Sequence, residues 1–457
     1  MSRDDNPHLS PQAKSVPQPP DSPALPLAPE RAPFWAHPIG FWFIFWGELA
    51  ERSSFYGMKG ILGNYISQQL GFGDSAASVI VHMFQAAVYF LPLLGGWIAE
   101  NFIGRYRAIV FFCVPYILGH VILGFETVPC LIVALALLAM GSGVTKPNIT
   151  PLMGMTYDQL RPGQTQLRSD AFALFYVAIN IGSAISEIMV PWVLGNWDYQ
   201  IAFLCPAVLM AFAFVFFAAG KPFYAKETIV RRRLTAEQRA ERRVVLRRLL
   251  GVFCMVLFYW MIFDQHSTTW NFFVRDYVNW EEFGFKRPEQ LQAINPVLIL
   301  VFVPALAVIW RVLGQWGIRF RATDKMIVGF VLSVATMALF AIAGFLGSEE
   351  QKVSVWWIAG AYVCLTAAEA CISVVGLELA FTAAPDSMKS FITAVWLVMV
   401  FLGNVVAMSV SWLYGEFMAP GWYFSMQMLM MVAVAIAFVP LARRFNAAVD
   451  TAAAHGV

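Results

Sequence analysis

Apolar runs long enough to cross a bilayer alternate with short polar or Gly/Pro-containing connections along most of this chain. The runs start near residues 38, 76, 106, 128, 169, 199, 248, 290, 325, 352, 388 and 421, a pattern that predicts twelve membrane-spanning helices. Basic residues gather in alternate connections: Arg105 and Arg107, then Arg161 and Arg168, then Arg311, Arg319, Arg321 and Lys325, and finally Arg443 and Arg444. The positive-inside bias makes these connections cytoplasmic, so both termini are expected inside. One internal connection is long. Lys221–Arg248 carries ten Lys/Arg against three Glu and divides the spans into six plus six. It reads either as a helix lying on the anionic membrane surface or as a plain topology-setting linker. The expected organisation is therefore a Pro-rich, disordered cytoplasmic tail over residues 1–36, a six-helix bundle over 37–220 and the basic linker over 221–248. A second six-helix bundle over 249–444 and a cytoplasmic tail over 445–457 follow.

Polar positions inside the spans carry the chemistry. Glu48, Glu51, Arg52 and Lys59 all fall in the first apolar run. Each charge at mid-membrane costs about 2.5 to 3.5 kcal/mol on insertion scales, so four unpaired charges there would be prohibitive. At 100° per residue, Glu48, Arg52, Phe55, Tyr56 and Lys59 share a sector of about 100°, with Glu51 beside it. One face of this helix is thus charged, which suits the wall of a water-filled pathway. The other embedded charges are Lys146 on span 4, Asp264 on span 7 and Glu369 on span 10. Spans 1 and 7 correspond in the two halves, as do spans 4 and 10. Cations on one half facing anions on the other predict two bridges that close a cavity in turn, Lys59 with Asp264 and Lys146 with Glu369.

Composition adds class. With 59% hydrophobic and only 13% charged residues, the chain reads as an all-α polytopic membrane protein. Its net charge of +2 gives no reason to expect nucleic acid as a partner. The six cysteines lie in apolar segments without paired spacing, which argues against a disulfide framework or a metal site. No cleavable leader is visible before the first span. His120 and His266 have no metal-ligand companions at usable spacing and read as bystanders. Glu187, near the end of span 5, reads as an interfacial residue.

Six spans plus six, with charges in corresponding positions, match the major facilitator arrangement, in which two halves rock around a midplane site. Within that arrangement, Gly47 to Gly57 (GELAERSSFYG) resembles the ExxERFxYYG signature of the proton-dependent oligopeptide transporter family. Phe175 to Ser183 (FYVAINIGS) is similar to that family's FYxxINxGS signature, and further similarities run from about residue 40 to 440. The resemblance implies proton-driven uptake of dipeptides and tripeptides by a multi-pass protein of the plasma (cell inner) membrane. It also implies that Arg52, Lys146 and Tyr56 bind the peptide carboxylate. Glu369, Asn180 and Asn295 would bind the amino group, Tyr89 would line the cavity, and Trp260 and Trp396 would wall side-chain pockets. His82 resembles a span-2 histidine essential in animal members; its alternative is a satisfied polar residue between helices. Phe55 stands where the motif has its first tyrosine, Ser53 where it has phenylalanine, and Lys59 where arginine is usual. A lysine there lacks the bidentate pairing of arginine.

The residues themselves support a zwitterionic substrate. A small peptide has charged ends about 5 to 6 Å apart for one peptide bond and about 9 to 10 Å for two. Arg52 with Lys146 on one side and Glu369 on the other supply the matching polarity, and charge-assisted bonds to the termini would bind many peptides without reading side chains. Coupling needs a group whose proton occupancy changes when substrate arrives. Glu48 and Glu51 lose a partner if the carboxylate takes Arg52, and His82 and Asp264 are further candidates. Protons are then the coupling ion, with no other cofactor and no metal, and the unit is expected to be a monomer. Alternatives on the same fold are a carrier of another small solute, such as nitrate or a drug-like molecule, and a peptide sensor that moves nothing. A membrane enzyme is disfavoured, since no Ser/His pair, paired aspartates or HExxH helix is present.

Overall fold

The computed structural model describes residues 34–229, 235–382 and 388–454, so the expected disorder of the N-terminal tail falls mainly outside the described residues. Phe34–Ala36 form a single 3-10 turn. The described residues from His37 onward make one compact unit.

That unit is almost entirely helical, as apolar chain in lipid must be, because each backbone polar group has to be satisfied within its own segment. The first half comprises α1 (Ile39–Asn64), α2 (Asp74–Ile98), α3 (Arg105–Leu123), α4 (Val128–Leu160), α5 (Thr165–Leu194) and α6 (Tyr199–Ala219). In the second half, span seven is built from α7 (Ala236–Phe263), a 3-10 turn at Asp264–Ser267 and α8 (Thr269–Tyr277). Spans eight and nine are α9 (Ile294–Gln315) and α10 (Ala322–Leu346). Span ten consists of α11 (Trp356–Glu369), a π-helical turn and α12 (Val375–Thr382). The last two spans are α13 (Lys389–Ser411) and α14 (Pro420–Ala454). Among the described residues, eleven helices are long and apolar enough to cross a membrane; α1, at 26 residues, is long enough but carries the four charges. A two-residue parallel pairing of β1 (Val278–Asn279) with β2 (Val353–Ser354) ties two connections of the second half.

Helix ends differ from expectation at two places. Ala236 to Arg248 are not a separate surface helix: Thr235 caps them through a capping box with Gln238, and they run into span seven as one helix. The expected C-terminal tail is also helical as far as Ala454. There Arg321 pairs with Asp450 at 3.0 Å, and Thr323 with Asn446, holding the extension to the start of α10.

Burial is inverted relative to a water-soluble protein. Ile132 is 64% exposed and Ile436 67%, whereas Glu51 is fully buried and Arg52 2% exposed. Large apolar side chains face outward to lipid and charges face inward. In the first half α1 packs on α5 and α6, and α3 on α4 and α6; in the second α10 packs on α11 and α14, and α7 on α13. The halves meet where α2 packs on α13 and α5 on α9. Small residues permit the close approaches. A Cβ on Gly182 would lie 2.6 Å from the Leu49 carbonyl oxygen, and one on Gly63 would lie 2.7 Å from that of Ser267. Ser53, which departs from the sequence motif, donates its hydroxyl to the Gly182 carbonyl at 2.9 Å and so belongs to the same α1–α5 contact.

Candidate functional site

Three irregularities in otherwise regular spans place the polar groups. Span seven breaks at Asp264, span ten leaves α-helical geometry directly after Glu369, and a 3-10 turn at Pro288–Ala293 delivers Asn295 in the first turn of α9. Such departures free backbone and turn side chains toward the interior, where lipid is absent.

A central cavity of about 120 Å³ lies between the halves. From the first half it is lined by Tyr56, Lys59, Tyr89 and Asn180. From the second it is lined by Trp260, Asp264, Asn295 and Glu369. Eight of the sequence-derived candidates are thus brought together. Glu369 Oε2 accepts from Asn295 Nδ2 at 2.8 Å, and the same amide donates to Thr366 Oγ1 at 3.1 Å. Asn180 spends one amide donor on the Tyr176 carbonyl at 2.9 Å, which leaves its carbonyl oxygen as an acceptor. Trp260 stands edge-on to Phe263 with ring centroids 5.3 Å apart, forming an aromatic wall.

Lys59 and Asp264 form one of the two predicted bridges, with Nζ 3.2 Å from Oδ1 and both side chains buried. The pair does not stand alone. Asp264 Oδ2 accepts from Asn404 Nδ2 at 2.7 Å, and that amide also donates to the Val400 carbonyl at 3.1 Å. With both amide hydrogens committed, the Asn404 carbonyl oxygen faces His82 Nδ1 at 3.1 Å, so Nδ1 carries the proton. His82 Nε2 lies 3.1 Å from Thr268 Oγ1, whose hydroxyl is also 3.3 Å from the Gln265 carbonyl. A turn of that hydroxyl lets it donate to Nε2, or to the carbonyl while Nε2–H donates to it. The site therefore accommodates neutral and doubly protonated imidazole without moving a heavy atom.

Beyond this network lies a second layer of contacts between the halves. Arg275 donates to Asn64 Oδ1 at 3.0 Å and pairs with Asp74 at 2.9 Å, while Asn64 donates to Glu289 at 2.6 Å. Gln292 donates to the Gly60 carbonyl at 3.0 Å and Ser75 to the Tyr414 carbonyl at 2.8 Å. These groups close the end of the bundle to which the C-terminus of α1 runs.

Other candidates sit elsewhere. Arg52 is held by both motif glutamates, pairing with Glu51 directly and with Glu48 at 3.4 Å, and its guanidinium carbon is 5.5 Å from the Phe55 ring centroid. It does not line the cavity; its charge is satisfied along its own helix. Glu48 Oε2 has no hydrogen-bond partner. The second predicted bridge is not formed. In this state the Lys146 ammonium lies 4.7 Å from the Tyr89 ring centroid, and Glu369 accepts from Asn295. Trp396 is not among the residues lining this cavity; it packs edge-on against Phe253, centroids 5.6 Å apart, within the second half. Glu187 is not interfacial but 3% exposed and cavity-lining, and His266 lines the cavity too. Among the described residues no group of three or more His, Cys, Asp or Glu is placed to hold a metal.

Comparison with known proteins agrees with this geometry. A family model described as POT family matches residues 106–234 and 226–424. The chain is 31% identical over 376 residues to Peptide transporter family 1 of Drosophila melanogaster, covering 70% of this chain and 49% of that protein. It is 29% identical over 359 residues to Solute carrier family 15 member 2 of Mus musculus, covering 67% and 49%. Against Dipeptide and tripeptide permease A of Proteus mirabilis (strain HI4320), identity is 26% over 418 residues, covering 79% and 83%. The chain therefore spans about half the length of the animal relatives it matches. In solved structures, the POT family transporter PepTSo superposes with a TM-score of 0.80 at 25% identity, covering 90% of this chain and 99% of that one. An auto-inhibited POT family peptide transporter superposes with a TM-score of 0.82 at 23% identity, covering 89% and 97%. The chain has the fold of both, a multi-pass membrane bundle.

Proposed function

Because the chain belongs to the POT family, we propose that it is a proton-coupled symporter that imports dipeptides and tripeptides by alternating access. The observation that carries this reading is a cavity with a hydrogen-bonded carboxylate, Glu369, on one half and acceptor and aromatic groups on the other, sealed at one end by Lys59 and Asp264. In this reading the basic connections face the cytoplasm. The sealed end then faces outside, in the plasma (cell inner) membrane, and the state is one closed to the exterior. One chain contains the whole cavity and works as a monomer.

The peptide amino group sits at Glu369, Asn295 and Asn180. Its carboxylate is taken by Lys146, released from the Tyr89 ring, and by Arg52, with Tyr56 beside them. As Arg52 turns to the substrate, Glu48 and Glu51 are left as buried carboxylates without a cation, so each must take a proton or bear the full cost of isolation. Substrate and proton thus favour one another, and protons serve as the only coupling ion. His82 and Asp264 join proton arrival to opening of the outer gate, because any change in the imidazole passes through Asn404 to the carboxylate that holds Lys59.

Competition for uptake of labelled dialanine into reconstituted vesicles tests termini-based recognition. Free dialanine should compete and N-acetylated dialanine should not, since acetylation removes the ammonium that Glu369 holds. Equal inhibition by the two would overturn it.

A further inference from the structure

Glu187 on α5 is a carboxylate that the proposed cycle does not use. It follows Asn180 by seven residues and Ser183 by four, so the three share one helix face, and all three line the cavity. Seven residues carry Glu187 about 10 Å further along α5 than Asn180, toward the sealed end. The side chain is 3% exposed, and Oε2 has no hydrogen-bond partner. Lys59 is the cation that acts on it electrostatically. Lys59, however, is committed to Asp264 at 3.2 Å.

Charge along the wall makes the point sharper. Three carboxylates, Glu187, Asp264 and Glu369, line the cavity, and Lys59 is the one ammonium among its lining residues. With Asp264 matched to Lys59, two carboxylates remain. A peptide amino terminus satisfies one of them. The other is a buried acceptor on the cavity wall, with the rings of Trp260 and Phe263 lining the same space. Carboxylate and aromatic faces together recognise organic cations.

We propose that Glu187 is a second cation-binding group of this cavity and sets a preference for peptides bearing a basic side chain. The proposal rests on the peptide-transport reading and names its substrate class. A lysyl side chain, a point charge on a flexible four-carbon stem, spans from a peptide backbone held at Glu369 toward the sealed end where Glu187 lies.

The test uses the full chain in proteoliposomes. Competition of alanyl-lysine against labelled dialanine is compared with that of the same peptide acetylated on Nε, which keeps the four-carbon stem and removes the charge. In the wild type the charged peptide should compete about tenfold better, the yield of one charge-assisted bond. In Glu187→Gln that ratio should fall close to one, and in Glu187→Asp it should lie between. A ratio near one in the wild type, or a ratio that persists in Glu187→Gln, overturns the proposal. If Glu187→Gln does not reconstitute, ligand-induced thermal stabilisation of the wild type decides: greater stabilisation by alanyl-lysine than by its acetylated form supports the proposal, and equal stabilisation overturns it. Wild-type vesicles that take up no dialanine contradict the transport reading itself, whereas uptake without the charge preference contradicts this proposal alone.

Discussion

Lys59 on α1 and Asp264 at the break in span seven form a buried ion pair, 3.2 Å from Nζ to Oδ1, that joins the two halves of the bundle. Removing one partner of such a pair costs about 3 to 5 kcal/mol, because the other charge is left buried. That is enough to move a dominant closed state to a minor one. Lys59→Ala and Asp264→Ala should each favour opening at the sealed end, and the double variant should add little to either. Accessibility of a cysteine introduced near Asn64 measures this, and fully additive effects would show that the pair does not act as the gate.

Asn404 ties that gate to His82. Asn404→Leu orphans one oxygen of Asp264 and Nδ1 of His82, each at about 1 to 3 kcal/mol. The variant should lose thermal stability in detergent, and its gradient-driven uptake should fall more than its counterflow exchange. Unchanged stability would mean that the amide does not bridge the two groups.

Glu51 pairs with Arg52 inside the first helix, and its side chain is fully buried. Glu51→Gln removes a carboxylate that the proposed cycle protonates, while keeping shape. Accumulation against a gradient should be abolished and counterflow exchange retained, because exchange needs no net proton movement. A variant that still concentrates substrate would place coupling at His82 instead.

Asn295→Ala removes the donor that orients Glu369. The KM for dialanine should rise about tenfold with a smaller change in maximal rate, the signature of lost ground-state binding. A fall in rate at unchanged KM would assign Asn295 to a conformational step.

Much of this was legible before any coordinates. Twelve apolar runs fix twelve spans because bilayer thickness sets helix length. Lys59 and Asp264 could be paired because isolated charges in a span demand partners on the corresponding span. Lys146 and Glu369, expected to meet in the opposite opening, rest here on an aromatic ring and on an amide, contacts that do not announce themselves in sequence. Asn404, Thr268, Asn64 and Arg275 were missed because neutral polar residues and interfacial arginines are common in membrane proteins, and their partners lie up to hundreds of residues away. Glu187 was misplaced because position along a span does not reveal which way a helix face turns. The helix expected before span seven runs on into it, a continuity hidden in sequence because the apolar signal begins only near Leu249 while capping at Thr235 starts the helix earlier.

The proposed cycle requires that protons drive peptide movement. Uptake of labelled dialanine into proteoliposomes with an imposed inward pH gradient tests it most directly. Dialanine should accumulate above its external concentration, the accumulation should collapse on adding a protonophore, and a negative interior potential should raise it further. Uptake that merely equilibrates, with no response to pH gradient or potential, would contradict the account.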